Sequence, residues 1–338
     1  MNNDGCKKKN IMYKVSVIIP IYKVENYIER CAVSLMEQTL DDIEFIFIDD
    51  CSPDNSVEIL MSVIEKYPSR RDSVKIVKMD QNSRQAAVRA YGMRLATGDY
   101  IIHCDSDDWV DVDLYEKMYI EAVSKDADAV FCSIIDEYAN SSVLRNEYIL
   151  PSTGKELVSK WYCSNIGMHT WSKLVRRSIF IENNLYPYEG INLWEDNGLM
   201  LRFFYYANKI SSINDSAYHY NQANQNAITA SYGRKEIDQM LQCAKQLEQF
   251  FASKPDANEF CRTVNSIKYL AKINLITTRY DWLKEFNLLF PESNEAKTYI
   301  SLNAFSIKGK IRFLFVKYHL AWLFVSIYKF IMLIGGKR

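Results

Sequence analysis

The chain has 338 residues and a formal net charge of -1, with 48% hydrophobic and 25% charged residues. These values are close to those of soluble globular proteins, so they exclude a disordered chain, a collagen-like chain and a polybasic nucleic-acid binder. Glycine and proline are scarce, at 11 and 7 residues, which favours long helices over an all-β sandwich. The length predicts two domains, or one α/β domain with an appendage.

The near-zero net charge conceals an asymmetry along the chain. From Ala296 to the end there are eight Lys and Arg residues and no Asp or Glu. The preceding residues hold 33 basic and 42 acidic side chains, a net charge of -9. An acidic body with a basic tail predicts separate functions for these two parts of the chain.

Short apolar runs alternate with helical patterns through the first part of the chain. The predicted strands are residues 15–19, 43–48, 74–79, 100–104 and 129–134. The predicted helices between them are residues 26–38, 52–67, 82–96 and 113–124, with Ser52 as the N-cap of the second. Strands that alternate with helices in this way predict an α/β fold with a mostly parallel sheet and flanking helices.

The second part of the chain is less regular and mainly helical. Helices are predicted at residues 154–162 and 195–206, with a nearly continuous helical pattern at 233–290. Residues 171–175 and 217–220 are predicted strands. A helical C-terminal region is therefore expected to follow the α/β part.

The eight cysteines include no Cys-x-x-Cys pair, which excludes a zinc ribbon or a thioredoxin-like motif. Several lie in apolar runs, as Cys104 and Cys132 do, and are expected to be reduced and buried. The N-terminal residues are basic but lack the apolar run of a secretory signal peptide. These features predict a cytoplasmic protein.

Polar side chains follow three of the predicted parallel strands. The three segments are Pro20-Ile21-Tyr22-Lys23-Val24-Glu25, Asp49-Asp50-Cys51-Ser52 and Asp105-Ser106-Asp107-Asp108. Ligands of such sheets bind outside the carboxyl ends of the strands. A ligand site is therefore predicted at this edge.

Asp105 and Asp107 are two residues apart just after a strand, so their carboxylates are expected to point the same way. Two carboxylates on one face repel each other unless a cation lies between them, and oxygen ligands favour magnesium or manganese. Magnesium usually binds one or two carboxylates together with substrate phosphates. The pair therefore predicts a metal–diphosphate complex; the alternative is that Asp107 and Asp108 cap the following helix.

Together, these motifs resemble the nucleotide-sugar domain of family 2 glycosyltransferases, which have the GT-A fold. The resemblance rests on four segments in matching order and spacing, at residues 17–22, 48–54, 82–92 and 105–108. It continues more weakly to about residue 230, through Trp171-Ser172-Lys173-Leu174 and Trp194-Glu195-Asp196-Asn197. The chain resembles the bacterial branch that builds capsular, exopolysaccharide or lipopolysaccharide repeat units.

The resemblance implies a nucleotide pocket made by the first two segments. Pro20, Tyr22 and Glu25 would line this pocket. Asp50 would accept a hydrogen bond from the base, commonly uracil, and Ser52 would support that turn. The donor implied by these contacts is a UDP-sugar.

The same resemblance implies contacts to the sugar and the diphosphate. Asn82 and Arg89 correspond to the helix that closes over the sugar and nucleotide. Asp105 would face the ribose or the sugar, and Asp107 would bind the metal on the diphosphate. The implied cofactor is a divalent cation, manganese or magnesium.

Two positions depart from the family pattern, because Cys51 and Arg84 stand where the family often has glycine. Cys51 needs only a tolerant turn. Arg84 replaces a residue that lets the backbone approach the ligand, which weakens the inference for Asn82. Arg84 is either a phosphate contact or an exposed helix residue.

Glu195 and Asp196 lie in the first turn of a predicted helix. The resemblance implies that Asp196 is the catalytic base, with Glu195 beside it. The alternative is that both acids only interact favourably with the helix dipole. In this alternative, neither acid takes part in catalysis.

Three basic side chains have two interpretations each. His219 is either packed among aromatic residues or faces the site, where it would contact the diphosphate or the metal. Lys173 either neutralises a phosphate or lies in solvent. His103 lies within a predicted strand, where a structural role is favoured over a functional one.

A metal-dependent, inverting glycosyltransferase fits the chemistry of these groups. The metal neutralises the leaving diphosphate, and a carboxylate on the opposite face takes the acceptor proton. A single displacement inverts the anomeric centre, as it does in inverting glycosidases. The predicted reaction moves a hexose or an N-acetylhexosamine from a UDP-sugar to a saccharide acceptor. The alternatives are a catalytically inactive nucleotide-sugar-binding scaffold and a sugar nucleotidyltransferase, whose usual glycine-rich loop is absent here.

The last predicted element, at residues 308–338, is a basic and apolar helix. Its longest uncharged stretch, residues 318–328, is shorter than the ~20 apolar residues that cross a bilayer. Arg312, His319 and Ser326 are seven residues apart and are expected to share one helical face. The pattern predicts a helix lying on an anionic membrane surface; packing against the body and a tilted span are the alternatives.

The predicted organisation begins with a GT-A catalytic domain at residues 12–230, with a nucleotide-sugar half at 12–134 and an acceptor half at 135–230. A helical extension at residues 231–292 and the membrane-associating helix at 308–338 follow. A cytoplasmic enzyme held at the inner face of the cell membrane suits an acceptor carried on a polyprenyl diphosphate. No nucleic-acid partner is expected.

Overall fold

The computed structural model describes residues 12–145, 152–164, 166–224, 233–277, 279–302 and 307–335. These residues form two compact units that interleave along the chain. The first unit takes its residues from 1–146, 170–186 and 209–224, and the second from 147–169, 187–208 and 225–338. The domain boundaries at residues 230 and 292 stay predictions.

A nine-stranded sheet forms the centre of the first unit. Its strands are β1 (Val15–Ile21), β2 (Ile43–Asp49), β3 (Val74–Lys78), β4 (Tyr100–His103), β5 (Trp109–Val110), β6 (Ala129–Tyr138), β7 (Ser141–Arg145), β8 (Lys173–Arg176) and β9 (Ile210–Asn221). The strand order is β3-β2-β1-β4-β8-β6-β9-β5, and β7 pairs with β6. The predicted α/β architecture and its five strands are confirmed.

The centre of the parallel half of the sheet is formed by two strands that are buried on both faces. Nearly every residue of β1 and every residue of β2 is buried, as expected for central parallel strands. β1 pairs in parallel with β2 and β4, and β2 pairs in parallel with β3. All residues of β3, at the edge, are exposed or half-buried.

Helices of the first unit connect these strands. They are α1 (Ile28–Met36), α2 (Ser56–Glu65), α3 (Arg84–Leu95), α4 (Leu114–Ser124) and α6 (Arg177–Glu182). α3 packs closely on the sheet at Gly92, where a Cβ atom would lie 2.5 Å from Ile18 and 2.7 Å from Ile48. A larger residue at Gly92 would push the helix away from the strand ends that form the site.

The other half of the sheet is mixed. β6 pairs in parallel with β9 and antiparallel with β7 and β8, and β5 pairs antiparallel with β9. Sequence patterns missed β5, which has two residues, and β7, whose side chains are largely exposed. Neither strand has the buried apolar run by which strands are recognised.

The start of α2 corrects the prediction that Ser52 is its N-cap. α2 begins at Ser56, four residues later. The Ser52 hydroxyl instead accepts a hydrogen bond from the Lys23 amide (2.8 Å) and donates one to Asp54 (2.6 Å). Ser52 thus joins the loops after β1 and β2, because its hydroxyl binds the amide of Lys23 in the loop after β1.

The second unit is helical in the described ranges. Its helices are α5 (Gly154–Lys160), α7 (Glu195–Tyr206), α8 (Arg234–Ala252), α9 (Cys261–Lys272), α10 (Tyr280–Leu288), α11 (Ile307–Lys317) and α12 (Ala321–Gly335). α7 has the predicted bounds. Two buried cations stabilise this unit: Lys268 pairs with Glu292 at 2.6 Å, and Lys272 donates to the Leu289 and Phe290 carbonyls.

The C-terminal segment is two helices, which corrects the single helix predicted at residues 308–338. α11 ends at Lys317, and His319 adopts a left-handed conformation with φ of 62°. The Leu320 amide then donates to the Phe315 carbonyl at 2.7 Å, which is the bonding pattern of a Schellman helix end. Arg312, His319 and Ser326 therefore do not share a continuous helical face. Among the described residues, no helix is both long enough and apolar enough for a membrane span.

Candidate active site

The carboxyl ends of β2 and β4 meet on either side of β1. Ile21 of β1 is in register with Asp49 of β2, and Ile18 of β1 is in register with His103 of β4. Asp50 follows β2 directly, and Asp105 lies two residues after the end of β4. The predicted convergence of polar residues at one sheet edge is therefore observed in the first unit.

The loops after β1 and β2 are joined by hydrogen bonds around Glu25. The Glu25 carboxylate accepts from the Asn55 amide (3.1 Å) and side chain (3.0 Å), and the Glu25 amide donates to Asp54 (3.1 Å). Pro20 lies within β1, and Tyr22, the first residue after β1, has an exposed side chain. Glu25 and Ser52 thus lie in one connected pair of loops, and Tyr22 lies at the start of the first; that these loops form a nucleotide pocket stays a prediction.

Asp50 is buried and binds the start of α3. Its two carboxylate oxygens accept from the Ser83 amide (2.6 Å) and the Arg84 amide (2.9 Å), and its carbonyl accepts from the Asn82 side chain (3.3 Å). Burial raises the pKa of Asp50, although these amide hydrogen bonds oppose the shift. Asp50 brings Asn82 to the site; its role toward a base stays a prediction.

The positions where the family often has glycine both have a left-handed backbone. Cys51 has φ of 57° and Arg84 has φ of 67°. Side chains other than glycine are disfavoured in this region. Arg84 is exposed, so the structure favours the surface interpretation of its side chain.

Arg89 of α3 pairs with Asp105. The Arg89 guanidinium is buried and donates to the Asp105 carboxylate at 2.7 Å. The Asp105 side chain is 23% exposed, so one side of this carboxylate faces solvent. Arg89 thus contributes to the site by holding Asp105.

Asp107 lies beside Asp105 and is bound from β9's end. The Asn224 side chain donates to the Asp107 carboxylate at 2.7 Å. Burial raises the pKa of Asp107, and the charge of Asp105 raises it further. A cation bound between two carboxylates would offset the electrostatic repulsion between them.

Asp108 has a structural partner that sequence patterns did not reveal. Its buried carboxylate accepts from the Tyr218 hydroxyl (2.6 Å) and the Asn221 amide (2.7 Å). The alternative that Asp108 caps the following helix is wrong, because α4 begins only at Leu114. Tyr218 is 110 residues away in sequence, and nothing local signals such a contact.

The donor set of Asp105 and Asp107 fits a divalent cation shared with a substrate. Among the described residues, no group of three or more His, Cys, Asp or Glu side chains could hold a metal ion by itself. Two carboxylates supply hard oxygen ligands but leave most of the coordination sphere to phosphate and water, as magnesium sites usually do. The residues present therefore fit a metal bound together with a diphosphate.

His219 is packed and fully hydrogen-bonded. Its ring nitrogens contact Glu137 at 2.8 Å and Asp111 at 3.1 Å, and its ring stacks on Trp109. Both nitrogens are engaged, which supports the packed interpretation of His219. His103 is also buried, and burial lowers its pKa; its structural role stays a prediction.

Lys173 is fully buried in β8, so the alternative that it lies in solvent is wrong. Its ammonium donates to the Ser172 hydroxyl at 2.9 Å and lies 4.8 Å from the Phe131 ring centre. The position follows from β8, whose first three residues are all buried. Lys173 contributes to the core of the first unit.

Glu195 and Asp196 lie in the second unit, in the first turn of α7 as predicted. α7 starts after Trp194, whose φ of 71° is left-handed. Asp196 is partly exposed and accepts from the Asn197 amide (2.7 Å) and side chain (3.0 Å), whereas Glu195 is buried. Asp196 is the more accessible of the two carboxylates.

The sheet order, the acidic strand ends and the helical second unit define a glycosyltransferase of GT-A fold. Residues 16–183 match the family described as Glycosyl transferase family 2. The chain belongs to this family. The predicted recognition and fold are therefore confirmed.

One relative is similar to this chain in sequence, and two solved structures are similar to it in fold. The uncharacterized glycosyltransferase EpsJ of Bacillus subtilis is 29% identical over 73% of this chain and 75% of its own length. Residues 1–349 of Staphylococcus aureus TarS, solved with UDP-GlcNAc, superpose with a TM-score of 0.69 at 16% identity, over 95% of this chain and 92% of that one. The mannosyltransferase PcManGT of Pyrobaculum calidifontis, solved with GDP-Man and Mn2+, superposes with a TM-score of 0.51 at 16% identity, over 97% and 89%.

Proposed function

We propose that this chain is a metal-dependent, inverting glycosyltransferase that moves a hexose or an N-acetylhexosamine from a UDP-sugar to a saccharide acceptor. The observation that carries the proposal is the placement of Asp105 and Asp107 after β4, next to the loops after β1 and β2. This edge of a parallel sheet is where nucleotide ligands bind.

The donor pocket is proposed to use the joined loops of the first unit. Pro20, Tyr22 and Glu25 would line the nucleotide, with Ser52 and Asp50 holding the turn beside it. The TarS structure, whose fold this chain shares, contains UDP-GlcNAc. That likeness supports a UDP-sugar as the donor class.

Asp105 and Asp107 are proposed to hold a divalent cation, manganese or magnesium. When bound, this cation would neutralise charge on the leaving diphosphate. Arg89 forms a 2.7 Å ion pair with Asp105. This pair would keep the Asp105 carboxylate oriented while negative charge develops on the leaving diphosphate. The Mn2+ in the mannosyltransferase structure supports manganese in this fold.

Asp196 is proposed to accept the proton of the attacking acceptor hydroxyl, with Glu195 beside it. Asp196 is partly exposed at the start of a helix, where a carboxylate is accessible to substrate and to water. A general base in this role contributes ~10²–10⁴-fold to the rate.

The acceptor is proposed to be lipid-linked, and the chain to bind the inner face of the cell membrane through α11 and α12. α12 buries Phe324 and Val325 but leaves Trp322, Phe330 and Ile331 exposed. No acidic residue lies between Ala296 and Arg338, so nothing in this segment repels an anionic surface. An exposed apolar face with basic neighbours favours binding to anionic lipid.

The enzymatic proposal is tested by measuring UDP release from a panel of UDP-sugars with manganese, magnesium or EDTA. We expect at least one UDP-sugar to be hydrolysed slowly with manganese and not with EDTA. GDP-mannose serves as the control donor and should not turn over. Tight UDP binding without turnover of any donor, with any acceptor tried, would instead indicate a nucleotide-sugar-binding scaffold.

A further inference from the structure

The end of β9 contacts all three acids of the segment after β4. The contacting residues are Tyr218, Asn221 and Asn224, which we call the β9 cluster. Tyr218 and Asn221 end the strand, and Asn224 follows it by three residues. The contacts of this cluster span 110 to 117 residues of sequence.

Within the β9 cluster, Asn224 acts on Asp107 directly. Its side-chain amide donates to Oδ2 of the Asp107 carboxylate at 2.7 Å. Asn221 donates to the Asp107 main-chain carbonyl at 3.2 Å. One carboxylate oxygen of Asp107 is thus held by an amide, which fixes the direction of the other.

Tyr218 holds the two acids on either side of Asp107. Its hydroxyl accepts from the Asp105 amide at 3.0 Å and donates to Asp108 at 2.6 Å. The Tyr218 ring is fully buried and stacks on Trp171 at 4.5 Å. Its position is therefore set by packing and does not depend on bound ligand.

We infer that the β9 cluster positions the proposed metal-binding carboxylates, with Asn224 orienting Asp107 toward the cation. The inference rests on the proposed function, because it assigns the cation to Asp105 and Asp107. Groups that hydrogen-bond to metal-binding carboxylates orient them, and their loss typically weakens metal binding ~10–100-fold. Asn224 is a positioning residue in this account.

The inference is tested by titrating Mn2+ into the full chain with UDP and following free Mn2+ by electron paramagnetic resonance. Asn224→Ala should raise the Kd for Mn2+ about tenfold or more. Gln222→Ala is the matched control, because the Gln222 amide donates to Asp136, outside the site, at 3.2 Å. The control should leave the Mn2+ Kd unchanged.

A second variant, Tyr218→Phe, removes one hydroxyl and keeps the stacked ring. It should also weaken Mn2+ binding about tenfold, while thermal melting shows that both variants remain folded. Wild-type Mn2+ affinity in folded Asn224→Ala and Tyr218→Phe would overturn the inference and leave the proposed function intact. A wild-type chain that binds no Mn2+ with UDP would overturn the proposed metal dependence itself, and the inference with it.

Discussion

The left-handed backbone at Arg84 sets the entry into α3. Its amide binds Asp50 while its side chain lies in solvent. A side chain in this conformation costs ~1 kcal/mol relative to glycine. This strain energy is located where the loop before α3 contacts Asp50.

Replacing Arg84 with glycine should therefore stabilise the protein. We expect Arg84→Gly to raise the free energy of unfolding by ~0.5–1 kcal/mol, measured by urea denaturation, because the strain is relieved and the amide bond to Asp50 is kept. Arg94→Gly in the same helix is the control and should lower stability by ~1 kcal/mol, since Arg94 lies within α3. Equal effects at both positions would show that no strain is stored at Arg84.

The residues of the site differ in how far sequence could predict them. Asp50, Asp105 and Asp107 were predictable, because they lie one to four residues after the ends of two buried strands that share one edge of the sheet. Tyr218 and Asn224 were not, because the carboxylates that they contact lie 110 and 117 residues away in sequence. The pairing of β9 with β5 and β6 brings them together, with Val110 of β5 in register with Tyr218.

At the scale of elements, a buried carboxylate joins the first three strands. Glu44 of β2 accepts from Ser16 of β1 (2.7 Å), Lys75 of β3 (2.6 Å) and the Thr97 amide before β4 (2.6 Å). Burial alone would raise the pKa of Glu44, but the hydrogen bonds from Lys75, Ser16 and Thr97 outweigh it, so the pKa is lowered.

The lowered pKa of Glu44 predicts a pH-dependent contribution to stability. A carboxyl whose pKa is lower in the folded state stabilises fully above its usual value of 4.5 and loses this effect as pH falls through the folded-state pKa. We expect Glu44→Gln to be clearly less stable than wild type at pH 7, with the difference shrinking toward pH 3. Urea denaturation across this range measures it. Glu65→Gln, at an exposed position of α2, should change little, and a constant difference for Glu44→Gln would contradict the account.

Substitutions in the C-terminal helices test the membrane proposal more sharply than deletion of the whole segment does. Deleting residues 308–338 would also remove Phe313 and Val325, which are buried. Trp322, Phe330 and Ile331 are 56%, 64% and 55% exposed, so they can be changed without opening the core.

Changing Trp322, Phe330 and Ile331 together to glutamine should weaken binding to anionic vesicles about tenfold or more, since each apolar side chain contributes up to ~2 kcal/mol when buried. Vesicle co-sedimentation measures this. The control changes Ile120 and Val123 of α4, which are 59% and 56% exposed, and should bind as wild type does. If the triple variant instead dissociates a dimer and vesicle binding is unchanged, the face is a contact between copies.

Sequence patterns could not place the helix break at His319. The apolar run continues on both sides of it, and a histidine is unusual at the left-handed position, where glycine or asparagine is expected. The sequence pattern therefore predicted one continuous helix. The bonds from His319 and Leu320 back into α11 create the turn.

For the whole molecule, the residues proposed to carry the chemistry belong to both units. The donor and the proposed cation belong to the first unit, whereas the proposed base, Asp196, belongs to the second. The order of elements in the first unit follows from strongly patterned strands, so its fold was predictable. The interleaving of the units was not, because residues 147–169 and 187–208 carry no boundary signal.

The most direct test compares Asp107→Asn with Asp196→Asn in two assays, UDP binding with manganese and turnover of the best UDP-sugar. Asp107→Asn should weaken manganese-dependent UDP binding about tenfold or more and abolish turnover. Asp196→Asn should bind UDP as wild type does and lose turnover ~10²-fold or more. Full manganese-dependent turnover by Asp107→Asn would contradict the central claim that this carboxylate binds the metal–diphosphate complex.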